Sequence, residues 1–231
     1  MKVFCCFTPA HEILFSGYFQ PSLPSDFEVR STLLDLKGAG DFYSKEFMEC
    51  IRRKIDLIVR SMEENDGQVI LWSDVDIIYL ESTAADLKAI YEASGKEVLF
   101  QAEGPKTTEV NTGFIVCRAS PAMADFFREV GARLAADPGK NEQAVVNDML
   151  REGAKVSWGT LPLEYYARTH GWPAPDNIRI YHANYTAGKD GIGQKIQQFR
   201  EMRAIRRYGM VAKLWFGLGK VPKKLKRIAG R

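Results

Sequence analysis

The 231-residue sequence contains no apolar run approaching the roughly 20 residues that span a bilayer. Cysteine is scarce. The four residues present, Cys5, Cys6, Cys50 and Cys117, show no zinc-binding spacing. This argues for buried, reduced thiols in a cytosolic protein. There is no internal repeat and no low-complexity linker. The opening "MKVFCCFTPAHE" is apolar only briefly and lacks a small-residue cleavage site, which argues against a secretory leader. Acidic residues are missing from Arg203 onward, where ten Lys/Arg occur.

What remains is ordinary for a globular chain, 45% hydrophobic and 26% charged, which is enough for a sizeable core. The net charge of +3 hides an asymmetry. Outside the C-terminal stretch the chain holds 22 basic and 29 acidic residues, a net of −7. The expected organisation is a single domain over 1–202 and a basic amphipathic tail over 203–231. In that tail Trp215, Phe216, Leu218, Val221, Leu225 and Ile228 interleave with lysines, which suits an anionic membrane surface. Pro222 and the glycines argue against one continuous helix there. A solvated or partly packed terminus is the alternative. The acidic body and the lack of a binding motif argue against nucleic acid as partner. The expected location is cytoplasmic, peripheral on the inner face of a membrane if the tail docks there.

"KVFCCFT" reads as an opening strand, and Phe19 to Gly40, rich in Pro, Ser and Gly, as mostly loop. From about Ser44, Phe47, Ile51, Ile55, Ile58 and Met62 recur at helical spacing until Asn65-Asp66-Gly67. "QVILW" follows as a buried strand. "STAADLKAIYEAS" reads as a helix capped by Ser82 or Thr83. "EVLFQA" and "TGFIVCRAS" read as strands, and Ser120-Pro121 opens a further helix through Leu134. "NEQAVVNDMLRE" is another helix, and "KVSW" and "IRIYH" are late strands. This alternation predicts an α/β fold with a mostly parallel sheet flanked by helices. Ligands of such sheets sit beyond the carboxyl ends of the strands.

The two carboxylates of "LWSDVDIIYL" fall at such an end. Residues i and i+2 of an extended segment share a face, so Asp74 and Asp76 converge and repel unless a cation joins them. Mg²⁺ or Mn²⁺ prefers such oxygen ligands. An isolated D-x-D more often marks a turn or cap with a solvated carboxylate. The buried strand before it and "IIYL" after it weigh toward a site. In "IRIYHANYTAGKDGIGQK" a strand ends on His182, a candidate nitrogen ligand. Asn184, Gly188, Lys189, Gly191, Gly193 and Lys195 follow, glycines for backbone approach and lysines to pair with phosphates. Asn111, Thr112 and Gly113 precede a buried strand, where turn chemistry alone could account for them. Glu142 and Gln143 open an amphipathic helix, where an acidic residue also serves the helix dipole.

The order "LWSDVDIIYL", "VNTGFIVCRAS", "NEQAVVND", "YHANYTAG", running from about Ser44 to Lys195, resembles the nucleotide-diphospho-sugar transferase family. These are retaining GT-A-fold glycosyltransferases related to galactosyl- and xylosyltransferases. The resemblance implies a single mixed, mostly parallel sheet flanked by helices. It also implies a metal-dependent transfer of sugar from a nucleotide diphosphate, a UDP-sugar by preference, to a glycan or glycolipid. Asp74 would meet the ribose and the metal, and Asp76 and His182 would complete the metal ligands, for Mn²⁺ or Mg²⁺. Asn111 and Gly113 would lie near the donor sugar, and Glu142 and Gln143 beside the anomeric carbon. Gly188 with Lys189 or Lys195 would hold the diphosphate, with Asn184 nearby. Phe7 and Thr8 would meet the base, with Lys54 a further candidate.

Two departures stand out. The family's Asp-Gln pair is Glu-Gln here, which lengthens the carboxylate by one methylene. The loop after Gly188 is about three residues longer, and "KI" after "GQ" favours Lys195. The alternatives are a two-metal phosphoesterase or nuclease, which needs more converging carboxylates, and a non-catalytic domain that binds a nucleotide sugar or glycan.

Overall fold

The structure is a computed structural model describing residues 1–36, 45–188 and 190–217. Strand β1 (Lys2–Phe7) alternates as its residues dictate. Val3, Cys5 and Phe7 bury on one face, and Phe4 and Cys6 pack less deeply on the other. A helical stretch follows, built from a 3-10 turn (Pro9–His11), α1 (Glu12–Leu14), a π-type turn (Phe15–Phe19) and α2 (Gln20–Ser22). β2 (Glu28–Leu33) then runs parallel to β1.

The expected loop between Phe19 and Gly40 is thus corrected where it is described. It holds the end of the helical stretch and an edge strand. An edge strand needs no apolar face, and β2 leaves Glu28, Arg30 and Ser31 exposed, so periodicity carries no sign of it.

The long helix α3 (Lys45–Glu63) buries Met48, Ile51, Ile55, Ile58 and Met62 on one face, as its period demands. β3 (Val69–Ser73) and β4 (Ile77–Tyr79) flank the Asp74–Asp76 turn. α4 (Ala84–Ser94) is capped by Thr83, whose hydroxyl accepts from the Asp86 amide at 3.0 Å, and it ends on Gly95 at φ 62°. β5 (Val98–Ala102) and β6 (Val110–Arg118) are buried almost throughout. α5 (Pro121–Ala136) starts at the Ser120 cap and Pro121, and α6 (Glu142–Arg151) at the Asn141 cap.

β7 (Trp158–Thr160) begins at the residue that ends the expected "KVSW" strand. β8 (Tyr165–Ala167) was not foreseen, being only three residues long. β9 (Ile180–His182) closes the strands. The glycine-rich loop expected up to Lys195 is also corrected. Helix α7 (Gly191–Tyr208) starts inside it, capped by Asp190, whose carboxylate accepts from the Gly193 amide at 3.0 Å. Two glycines in its first turn conceal the helical signal. The helix passes residue 203 without a break and buries Phe199, Met202 and Ile205.

The main sheet has the order β2-β1-β3-β6-β5-β7. The pairs β1–β2, β1–β3 and β5–β7 are parallel, and β6 is antiparallel to both β3 and β5. This is the mixed, mostly parallel sheet expected. A second sheet of order β4-β9-β8 stands beside it. The two-residue period of the strands divides the core. Ile70, Trp72, Val98, Phe100 and Ile115 pack against α3, α5 and α6. Val3, Leu71, Leu99, Phe114 and Val116 pack against the small sheet, α4, α7 and the N-terminal helical stretch. Each fully buried Leu, Ile or Phe contributes about 1.5–3 kcal/mol relative to an exposed one.

Candidate active site

Asp74 and Asp76 do converge, though by a different route from a strand pleat. β3 ends at Ser73 and β4 begins at Ile77, so the two aspartates lie on a turn with Val75 turned into the core. The backbone fixes this turn from both sides. The Asp74 amide donates to the Gly113 carbonyl at 2.7 Å, and the Asp76 carbonyl accepts from the Ala183 amide at 2.9 Å. Antiparallel pairing of β4 and β9 sets Ile77 opposite His182. His182 Nε2 thereby comes within 3.2 Å of Asp76 Oδ1. Asp74, Asp76 and His182 each offer one ligand atom, and these atoms lie within 4.8 Å of one another. They form the single Asp-Asp-His cluster of this kind among the described residues, fewer carboxylates than a two-metal phosphoesterase requires.

The donor set fits a divalent ion. Burial and the neighbouring Asp76 charge push the Asp74 carboxyl up, against the pull of Lys54. At Asp76 burial acts in the same upward sense, but Lys195 and His182 overcome it and hold the group well below the usual carboxylate range. Two carboxylates with opposed shifts at such close range are relieved by a shared cation. Gly113 keeps the space open. A Cβ there would fall 2.5 Å from His182 Cε1, 2.9 Å from Asp74 Oδ2 and 3.0 Å from Asn111 Oδ1.

Two lysines serve the carboxylates. Lys195 on α7 lies against Asp76. Lys54 on α3, only 7% exposed, bridges Asp74 Oδ1 at 2.8 Å and Glu142 Oε1 at 3.0 Å. Burial disfavours the Lys54 charge, yet the two carboxylates outweigh it and raise its pKa. Glu142 Oε1 also accepts from Thr112 Oγ1 at 3.4 Å. Asn111 is held at both ends of its amide. Its Oδ1 accepts from the Gly113 amide at 2.8 Å, and its Nδ2 donates to Glu103 at 2.8 Å.

One cavity of about 640 Å³ gathers Phe7, Thr8, Lys54, Asp74, Asp76, Asn111, Gly113, Glu142, Gln143, His182, Asn184, Gly188 and Lys195. Gly191 lines it too, but Gly193 does not, its amide being bonded to Asp190 in the first turn of α7. Lys189 lies outside the described residues. Asn184 Oδ1 is a buried acceptor without a partner among the described residues. Sequence reasoning missed His11, Glu103 and Thr169, which also line the cavity. His11 Nδ1 sits 2.9 Å from Thr8 Oγ1, and Thr169 donates to the Glu103 carbonyl at 2.6 Å. These residues come from turns without periodicity, where spacing carries no signal. Gln101 was missed too, though it is a lone amide in the apolar strand "EVLFQA" and so was open to notice.

A mixed sheet with a carboxylate turn at the end of its third strand and a histidine returning from a small side sheet defines a GT-A-type glycosyltransferase. The sequence pattern of the nucleotide-diphospho-sugar transferases matches residues 24–199, and the chain belongs to that family. Its fold is similar to that of a glycosyltransferase involved in glycosylation of the major capsid of PBCV-1. That likeness has a TM-score of 0.61 at 11% identity and covers 86% of this chain and 98% of the other. It is also similar to the glycosyltransferase GlyE of Streptococcus pneumoniae TIGR4, with a TM-score of 0.56 at 10% identity, covering 94% of this chain and 63% of GlyE. Among curated proteins the sequence finds no match.

Proposed function

We propose that this protein transfers a sugar, with retention at the anomeric carbon, from a UDP-sugar to a glycan or glycolipid, using Mn²⁺ or Mg²⁺. The observation that carries the reading is the convergence of Asp74, Asp76 and His182 within 4.8 Å, in the cavity shared by Lys195, Glu142 and Gln143. A divalent ion held by these three supplies Lewis-acid stabilisation of the departing diphosphate. Lys195 takes up charge developing on the same phosphates, with Gly188 giving close backbone approach and Lys189 a second candidate cation. Phe7 and Thr8 meet the base, and Asp74 meets the ribose. Asn111 and Gly113 lie near the donor sugar, Asn184 near the diphosphate, and Lys54 is a further candidate for the base. Glu142 and Gln143 face the anomeric carbon as it becomes oxocarbenium-like. Retention then follows either from a covalent glycosyl-enzyme or from attack by the acceptor on the face the diphosphate leaves.

A thermal-shift series with UDP- and GDP-sugars, with and without Mn²⁺, tests this reading. Metal-dependent stabilisation by a nucleotide sugar, followed by turnover with a retained anomer in NMR, supports it. Stabilisation that ignores the metal, or an inverted product, overturns it.

A second feature favours a peripheral membrane location for the same enzyme. No helix among the described residues is long and apolar enough to cross a membrane. Yet Tyr208, Met210, Val211, Leu214 and Trp215 are all exposed, with Trp215 at 76%. Six further Lys/Arg follow in the sequence after residue 217, with no acidic residue among them. Exposed aromatics beside unbalanced basic charge suit an anionic bilayer. Loss of binding to phosphatidylglycerol vesicles on deleting residues after Met210 supports this, and unchanged binding overturns it.

A further inference from the structure

Gln101 is fully buried at the end of β5, behind the cavity wall. The β5–β6 register shifts between Phe100, opposite Ile115, and Gln101, opposite Asn111, so that the extra residues lie on β6, beside the site. The Gln101 amide joins two groups. Nε2 donates to the Tyr165 carbonyl at 3.2 Å, and Oε1 lies 2.7 Å from His182 Nδ1.

These contacts leave little freedom of assignment. A backbone carbonyl only accepts, so Tyr165 determines which end of the amide is the nitrogen. The oxygen end therefore faces His182. An amide oxygen also only accepts, so His182 Nδ1 must carry a proton. In the neutral ring Nε2 then presents a lone pair. It does so 3.2 Å from Asp76 Oδ1, itself an acceptor. Positive charge relieves this approach, either as a second ring proton, which then donates from Nε2 to Asp76, or as a metal ion that takes its place.

We infer that Gln101 is a positioning residue that selects the His182 tautomer able to ligate a metal. The inference rests on the metal reading proposed above. Gln101 does not line the cavity, and its effect passes through the imidazole. Partners of this kind behind a metal-ligating histidine typically contribute 10–100-fold to metal affinity.

The test compares Mn²⁺ affinity, by electron paramagnetic resonance, for the full chain and for Gln101→Leu and Gln101→Glu. Both variants lose the donor to Tyr165, and urea unfolding measures the structural penalty of each, larger for Gln101→Glu because its carboxylate faces that carbonyl. Only Gln101→Glu keeps an acceptor for Nδ1–H. The expected result is a loss of roughly 10–100-fold for Gln101→Leu and near wild-type affinity for Gln101→Glu. Equal affinities in all three proteins, or equal losses in both variants, overturn the role of Gln101. Absence of Mn²⁺ binding by the wild type overturns the metal reading beneath it. Independently of both variants, ¹⁵N NMR of the wild type is expected to find His182 Nδ1 protonated with and without Mg²⁺. An unprotonated Nδ1 overturns the inference.

Discussion

The ammonium of Lys195 lies against the carboxylate of Asp76, 119 residues earlier in the chain. A cation of the protein itself thus stands beside a candidate metal ligand. Lys195→Met is expected to raise Mn²⁺ affinity in the absence of nucleotide sugar, because a competing positive charge is gone. The same change is expected to lower kcat for transfer by about 10²–10³-fold, since charge on the departing diphosphate loses its partner. Mn²⁺ titration and initial rates check the two effects separately. A fall in both affinity and rate would show that Lys195 supports the metal site rather than competing with it.

Asp76→Ala is expected to abolish the metal response of transfer while leaving a folded protein. Some stability is expected to be lost, because the largely buried Lys195 ammonium is left without this partner. Rates measured across a Mn²⁺ series, with circular dichroism as the folding control, decide the matter. Near wild-type activity with an unchanged metal response would remove Asp76 from the ligand set.

Gly113→Ala reverses an ordinary expectation. Within a strand, replacing Gly by Ala usually adds about 0.5–1 kcal/mol of stability. Here the new methyl meets His182 Cε1 at 2.5 Å and Asp74 Oδ2 at 2.9 Å. The expected result is destabilisation of about 1–3 kcal/mol, with weakened Mn²⁺ binding as the histidine is displaced. Urea unfolding and metal titration measure the two consequences.

Lys54→Met leaves Asp74 and Glu142 facing each other without the buried ammonium that joins them. Removing one partner of a buried ion pair costs about 3–5 kcal/mol. Because Asp74 keeps 32% of its side-chain surface and regains some hydration, a loss near the lower end is expected. A change below about 1 kcal/mol in urea unfolding, within the range of exposed ion pairs, would show that solvent substitutes for Lys54.

Glu142→Gln separates the two routes proposed for retention. The Glu142 oxygen nearest Lys54 is already held by that ammonium and by Thr112. That engagement lowers the nucleophilicity of this oxygen and leaves only the other to attack, so substantial residual transfer is the outcome expected of same-face attack. A fall of roughly 10⁴-fold or more, with the protein still folded, would assign Glu142 as the nucleophile.

Much of this protein is legible along the chain. The apolar spacing of α3 and α5, the Ser120-Pro121 start and the alternation within β1 are local consequences of side-chain size and backbone period. The four motif blocks fall at strand ends and helix starts, which are local events, while most candidate residues owe their roles to the family resemblance of those blocks. Elements without a local signature stayed hidden. β2 lies at an edge with no apolar face, β8 is too short to show a period, and glycines mask the start of α7.

What the sequence alone determined, then, is which segments bury, in what order they come, and which chemical groups stand at their ends. Only the tertiary structure decided who meets whom. The β4–β9 register carries His182 to Asp76, and α7 carries Lys195 to the same carboxylate. Lys54 spans from Asp74 to Glu142, 88 residues away. Pairing of β5 within the main sheet and of β9 within the small one sets Gln101 against the imidazole. The physical reason is that burial and periodicity act over a few residues, whereas these contacts depend on strand register and on helices packed across the whole core.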